Sequence, residues 1–314
     1  MNKFVKKILK LFFLFVLVRF LFYLFIAYST NYTYRFLNLT YKGIATWGNS
    51  YERSLDYITW KSKKSNLPKG IILGSSTAYR NINTDVLTKQ TNINWFNLGS
   101  SSQTSEVSSI ILRKIIHSSD IKYVIIDIYG ELSEKNSYES IFDLINNSRL
   151  SIDDKLKLFY IDPNPKLLDI MFYREIEQWI SKKTLRTPSS SNGIYFRNGT
   201  TYSPNKSNEL KQRSTIINSL EIRENKHFQD IINYCNENEL KLLINIAPIL
   251  QTKHCVKIDF PNVIKNDELR TFQSLFYDSH HMTAEGAIQY SKLLGNKINL
   301  IKSSKSNHTH QGSN

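Results

Sequence analysis

Four short apolar runs, each closed by turn residues, constrain this chain most: 70–73 (GIIL), 93–98 (INWFNL), 123–129 (YVIIDIY) and 242–247 (LLINIA). None alternates polar with apolar residues as a half-solvated strand must. Near-continuous apolar runs of about four to seven residues are what strands buried on both faces look like. The segments between them have the other period. Residues 105–118 place Val107, Ile110, Ile111 and Ile115 three and four apart, with Thr104 or Ser105 available as the N-cap, and 216–239 and 284–298 behave alike. Strands alternating with amphipathic helices predict βαβ units, and so a three-layer α/β domain over 68–302 whose parallel sheet is covered on both faces.

The amino end is of another kind. Residues 8–28 form an apolar run broken only by Lys10 and Arg19, and 21 residues span about 31 Å as a helix, one bilayer core. Arg19 near the middle costs about 2.5–3.5 kcal/mol, which the surrounding Leu, Ile, Phe and Val residues outweigh at about 0.3–0.6 each. Lys3, Lys6, Lys7 and Lys10 precede the run and keep that end cytoplasmic. Residues 1–30 therefore read as a cytoplasmic stub and a single transmembrane signal anchor, with the rest facing outward. A cleaved leader fits less well, because its apolar core is shorter and Ala27-Tyr28-Ser29 is a poor cleavage site. Arg19 either snorkels or pairs with a polar group of another membrane protein.

Residues 31–67, rich in Asn, Tyr, Thr and Lys with Phe36, Leu37, Trp47 and Trp60 scattered among them, read as a juxtamembrane stalk. Residues 131–215 break the strand–helix rhythm. They hold Pro163, Pro165, Pro188, Pro204 and the run 189–193 (SSSNG), and read as an insertion covering one end of the sheet, helical over 152–160 and 167–182. Residues 303–314 read as a polar tail.

A formal charge of +14 suggests nucleic acid until its distribution is examined. Nine of those charges lie in the first 65 residues, and no zinc-finger spacing, RNP-like motif or basic-region heptad accompanies them, so nucleic acid is not an expected partner. Two cysteines, Cys235 and Cys255, form no CxxC pair; neither structural zinc nor thioredoxin-like redox chemistry is expected, and a bond between the two stays open.

The chemistry gathers at two places. Ser76 follows the first strand in Gly74-Ser75-Ser76, where a hydroxyl at the carboxyl end of a parallel sheet is exposed. A serine is a weak nucleophile until an imidazole takes its proton and a carboxylate orients that imidazole. Asp278-Ser279-His280-His281 supplies both on one loop, ahead of a helix starting near Ala284. Other readings stand beside this one. Ser75 and Ser76 fit a plain turn, Asp278 with His280 and His281 fits a metal site lacking an HExxH pattern, and Ser100, Ser101 and Ser102 fit helix capping. Arg80 suits either an anionic substrate group or a salt bridge to Asp127.

With these residues the chain resembles the SGNH (GDSL-like) hydrolase superfamily over about 68–300. Gly74-Ser75-Ser76 matches its first block, Gly99 in FNLGSSS its second, and Asp278 with His281 its last. The resemblance implies a flavodoxin-like α/β fold, Ser76 as nucleophile, His281 as base, Asp278 as orienter and Gly99 as an oxyanion-hole donor, with no cofactor or metal. The Gly-x-Asn-Asp block expected after the third strand is replaced by Asp127-Ile128-Tyr129-Gly130-Glu131, which removes a side-chain oxyanion donor. Together with the anchor, that departure looks like the membrane-tethered branch of the superfamily, which includes teichoic-acid D-alanylation and alginate or peptidoglycan O-acetylation proteins. The expected activity is that of an acyltransferase or esterase on O-acyl groups of an envelope polysaccharide, partnered by a multi-pass membrane acyltransferase. The alternative is a catalytically inactive scaffold that recruits such a partner.

Overall fold

The computed structural model describes residues 3–28, 58–59, 62–64, 66–117, 120–133, 137–148, 150–165, 167–172, 175, 194–195, 200–202, 225–250 and 260–309. Its sheet has five strands, all parallel: β1 (Lys69–Gly74), β2 (Asn94–Asn97), β3 (Ile121–Asp127), β4 (Lys241–Ile246) and β5 (Val263–Lys265), in the order β2-β1-β3-β4-β5. The helices are α1 (Lys3–Tyr28), α2 (Ser76–Asn81), α3 (Thr84–Thr91), α4 (Ser105–Ile116), α5 (Tyr129–Ser133), α6 (Tyr138–Asn147), α7 (Ile152–Ile161), α8 (Lys226–Glu237) and α9 (Ala284–Thr309).

Side chains of a strand alternate between the faces, so a strand buried on both sides is apolar at every position. Here Ile71, Leu73, Val124, Ile126, Leu242, Ile244 and Ile246 meet Val107, Ile111 and Ile115 of α4 and Phe228 and Ile231 of α8. On the other face Ile72, Tyr123, Ile125 and Leu243 meet Ala78 of α2, Leu87 of α3 and Tyr290 and Leu294 of α9. The expected α/β class, parallel sheet and flanking helices are all present.

Several boundaries differ from the sequence reading. Ile58, within the expected stalk, is fully buried in the α4/α8 core, so at least the end of that segment belongs to the domain. Part of the 131–215 segment packs on the same face: Ile141, Phe142, Leu158, Leu167 and Ile170 join that core, while Thr200 Oγ1 donates to the Ile82 carbonyl and accepts from the Thr84 N–H at the junction of α2 and α3. Its helix at 152–160 is α7, while the second is described only over 167–172 and its expected continuation to 182 lies outside the described residues. Helix α8 starts at Lys226 among the described residues, and α9 runs on to Thr309, through most of the expected tail. Strand β5 and helix α3 were not foreseen. A three-residue strand is too short for any period to show. Cys235 is buried with a free thiol, pushed up to about 12 by that burial; Cys255 lies outside the described residues.

Helix α1 covers the whole apolar run and exposes its large side chains, Phe12 and Phe13 among them at 59% and 69%. Among the described residues no helix is long and apolar enough to cross a membrane; over 3–22, where α1's side chains are described, four lysines and Arg19 interrupt the apolar positions. Arg19 forms an ion pair with Asp169 of this same chain.

Candidate active site

The chain leaves β1 for β2 on one side and returns to β3 on the other, so a crevice opens at the carboxyl ends of β1 and β3, where sheets of this order bind ligands. Ser76 is the first residue of α2 and enters that crevice directly after β1. The turn before it depends on Gly74, whose φ is +138°; a Cβ there would also sit 2.6 Å from the Asp127 carbonyl oxygen. Across the crevice, 275–283 folds back on itself. Phe276 and Met282 pair as an antiparallel bridge, Tyr277 N–H donates to the His281 carbonyl (2.8 Å), and Thr283 N–H donates to the Leu275 carbonyl (2.9 Å).

Asp278 organises the tip of this loop. Its Oδ1 accepts from the backbone N–H of His280 (2.9 Å) and His281 (2.8 Å), a local side-chain turn that Asp is suited to make. Its Oδ2 lies 2.7 Å from His281 Nδ1, and His281 Nε2 lies 2.7 Å from Ser76 Oγ. An ionised carboxylate only accepts, so the imidazole proton sits on Nδ1 and Nε2 accepts from the serine hydroxyl. Three residues named from sequence are thereby brought into one hydrogen-bonded chain.

The electrostatics match that arrangement. Burial pushes Asp278 up, but the hydrogen bond and charge of His281, with His280 and its amide, outweigh it and hold the carboxyl well below its ordinary range. Burial lowers His281, and the Arg80 charge adds to this, against the raising effect of Asp278. His281 is thus neutral, and able to accept a proton, further into the acid range than a solvated histidine. With His281 as base to Ser76, the reading proposed below, the acid limb of kcat/KM is expected below the ordinary histidine value of about 6.5, since the base is lost only as pH falls through the lowered value. A pH–rate profile with its acid limb at or above pH 7 would contradict this.

His280 stands beside this chain, its ring centroid 3.9 Å from that of His281. Its ring stacks on Tyr129 (centroids 4.9 Å, 11°), its Nδ1 lies 3.0 Å from Ser279 Oγ, and burial, then His281, lowers it to about 4. Ligand atoms of Asp278, His280 and His281 fall within 4.8 Å of one another. Both ring nitrogens of His281 and both oxygens of Asp278 are already engaged, so a cation there would dismantle the Ser76–His281–Asp278 chain.

The oxyanion side is less complete. Gly99 N–H donates to Asn97 Oδ1 (3.0 Å), and Asn97 Nδ2 donates to the Ala78 carbonyl (2.8 Å), so the amide that the resemblance assigns to an oxyanion is engaged in the free protein. Gly99 also has a packing role, because a Cβ there would sit 2.8 Å from that of Ala78. In place of the missing third block lies a buried polar cluster that sequence reasoning did not find. Asp127 accepts from Thr77 Oγ1 (2.6 Å), Tyr129 N–H (3.2 Å) and Asn245 Nδ2 (2.6 Å), and Asn245 Oδ1 accepts from Tyr290 OH (2.9 Å) and Asn266 Nδ2 (3.2 Å). Asp127 takes these bonds and not the salt bridge to Arg80; Arg80 instead lies 8% exposed beside the two histidines. The Oγ of Ser75 is buried with no hydrogen-bond partner among the described residues. Ser100 Oγ donates to Gln103 Oε1 (3.1 Å) and its amide to the Gly74 carbonyl (3.0 Å), a turn role. Thr104 is the N-cap of α4 but its hydroxyl bonds Ser137 Oγ (2.5 Å) and not a helix amide, and the carboxylate of Glu131 accepts from the Ser105 amide instead.

No protein-family model matches the chain, and no curated protein matches it in sequence.

Proposed function

We propose that the chain is a membrane-anchored, outward-facing serine acyltransferase or esterase of the SGNH type, acting on O-acyl groups of an envelope or exported polysaccharide. One observation carries the chemistry: the 2.7 Å contacts from Ser76 Oγ to His281 Nε2 and from His281 Nδ1 to Asp278 Oδ2, at the crevice of a parallel sheet. Ser76 Oγ attacks an ester carbonyl as His281 Nε2 takes its proton. The tetrahedral intermediate collapses, the leaving sugar oxygen takes that proton from His281, and the acyl group stays on Ser76. A second hydroxyl, or water, then gives its proton to His281, attacks the acyl-serine and frees Ser76, which recovers the proton. Asp278 holds the imidazole and offsets its positive charge in both halves.

The polysaccharide substrate and the multi-pass acyltransferase partner rest on the resemblance to membrane-tethered SGNH proteins. A deletion strain should lose base-labile acyl groups from its polysaccharide and regain them with the wild-type chain; unchanged acyl content would remove the substrate assignment. Gly99's engagement with Asn97 and the absent third-block asparagine favour a second reading, an inactive scaffold for that partner, since one missing oxyanion donor costs about 10²–10³ in kcat. The scaffold reading requires Ser76→Ala to complement fully.

The anchor is supported by the apolar run 8–28, helical throughout within α1, and by the four lysines before it. Insertion separates Arg19 from Asp169, so the pairing and the span exclude one another, and topology decides between them. Protease added outside intact cells, or outside spheroplasts where an outer membrane shields the domain, is expected to digest the chain beyond residue 30 while a tag at Met1 stays protected. Protection of both ends would contradict the anchor.

A further inference from the structure

We infer that Asn81 is a positioning residue that ties the helix bearing Ser76 to the loop bearing His281, and so sets the distance between nucleophile and base. Asn81 is the last residue of α2, the helix that Ser76 begins. It is fully buried, and its amide brackets His281 in sequence: Nδ2 donates to the carbonyl of His280 (2.8 Å) and Oδ1 accepts from the N–H of Met282 (2.8 Å). A carboxamide is the one short side chain that offers a donor and an acceptor side by side, as this backbone pair requires.

The rest of the loop's order comes from contacts within it and from two to elements other than α2: Leu250 N–H donates to the Ser279 carbonyl (2.9 Å), and His280 stacks on Tyr129. Asp278 holds the amides of His280 and His281, and the Phe276–Met282 bridge and the Thr283 amide close the loop on itself. These contacts shape the loop and fix the imidazole relative to Asp278, but none of them ties it to α2. Asn81 does so with two hydrogen bonds, the one to Met282 buried and the one to His280 partly so. Removing it leaves a carbonyl and an N–H unpaired in the interior, and the loop relieves them by moving away from α2. The Asp278–His281 bond travels with the loop; the His281–Ser76 bond stretches. The groups facing His281 are Asp278 and His280 of its own loop and Ser76 and Arg80 of α2, so such a movement changes its contact with α2 and not with Asp278.

This inference rests on the proposed roles of Ser76 and His281, and its test separates the two. The full chain in detergent micelles, labelled with ¹⁵N-histidine, is compared with Asn81→Leu, which keeps volume but makes neither bond, and with Asn81→Ala should the leucine variant not fold. In the wild type, Ser76→Ala is expected to move the His281 Nε2 resonance, because the hydroxyl is its partner. In the Asn81 background the same substitution is expected to leave that resonance unmoved. Turnover of p-nitrophenyl acetate should fall at least tenfold in kcat with KM within twofold. An unaltered response to Ser76→Ala together with a wild-type kcat would overturn the positioning role. A wild type whose slow turnover does not depend on Ser76 would overturn the catalytic reading instead, while the resonance comparison still decides whether Asn81 sets the contact.

Discussion

On the proposed function, Ser76→Ala is expected to lower ester turnover or glycan acylation by about 10³-fold or more, with the protein still folded. The size follows from the hydrogen-bonded chain: a triad acts as a unit, so loss of the nucleophile leaves only what binding and the oxyanion site contribute. A factor of 10³ corresponds to about 4 kcal/mol of lost transition-state stabilisation. His281→Ala is expected to cost a comparable factor, since without Nε2 the hydroxyl proton has no acceptor. Asp278→Asn should cost nearly as much. An amide in place of the carboxylate turns a donor toward His281 or toward the two amides that Oδ1 now holds, and so disfavours the tautomer with the proton on Nδ1. Ser75→Ala is expected to be mild, because the Ser75 hydroxyl has no hydrogen-bond partner to lose among the described residues. The check is the steady-state rate of each purified variant, scaled by the folded fraction from its melting curve. A Ser76→Ala chain within tenfold of wild type would remove the nucleophile assignment.

The largest stability effect is expected at Asp127. Replacing it with alanine strands the hydroxyl of Thr77, the amide of Tyr129 and one amide hydrogen of Asn245 in the interior. At about 1–3 kcal/mol for each stranded buried group, and with some relaxation, the loss is at least about 3 kcal/mol, a large share of a domain's stability. The effect carries a pH dependence of known sign. Burial raises the Asp127 carboxyl to about 6 despite its three donors. A raised value in the folded state means that this group's stabilisation is complete below the ordinary carboxylate value and declines as pH rises through about 6. The difference between wild type and Asp127→Ala in urea unfolding is therefore expected to be larger at pH 5 than at pH 7.5. An equal or reversed difference would show that the group is not held as a buried acid.

Which parts of this structure could be read from the chain follows from what each part depends on. The strands around Ile71, Ile125 and Leu243 were legible because burial on both faces leaves a continuous apolar run, and α4 because its buried positions recur at helical spacing. That Ser76, Asp278 and His281 come together was legible because the nucleophile and base proposed for such a sheet stand one after β1 and one on a late loop. Asn81, Asn245 and Tyr290 were not. Their roles are hydrogen bonds to groups remote in sequence, and nothing in NIN or AIQY marks them. Ile58 was hidden in a polar neighbourhood, where one apolar side chain carries no period. The side-chain bond between Asn97 and Gly99 is local, yet only the close approach to Ala78 shows why a glycine stands there.

The central claim is that Ser76 is a nucleophile activated by His281. It is tested most directly by treating the full-length protein with a small fluorophosphonate, then locating the adduct by peptide mass. The account predicts one phosphonyl group per chain, on the peptide containing Ser76, absent from Ser76→Ala and formed far more slowly in His281→Ala. An adduct on another residue, labelling of Ser76→Ala at the wild-type rate, or a wild-type chain left unlabelled by even the smallest phosphonate would contradict it.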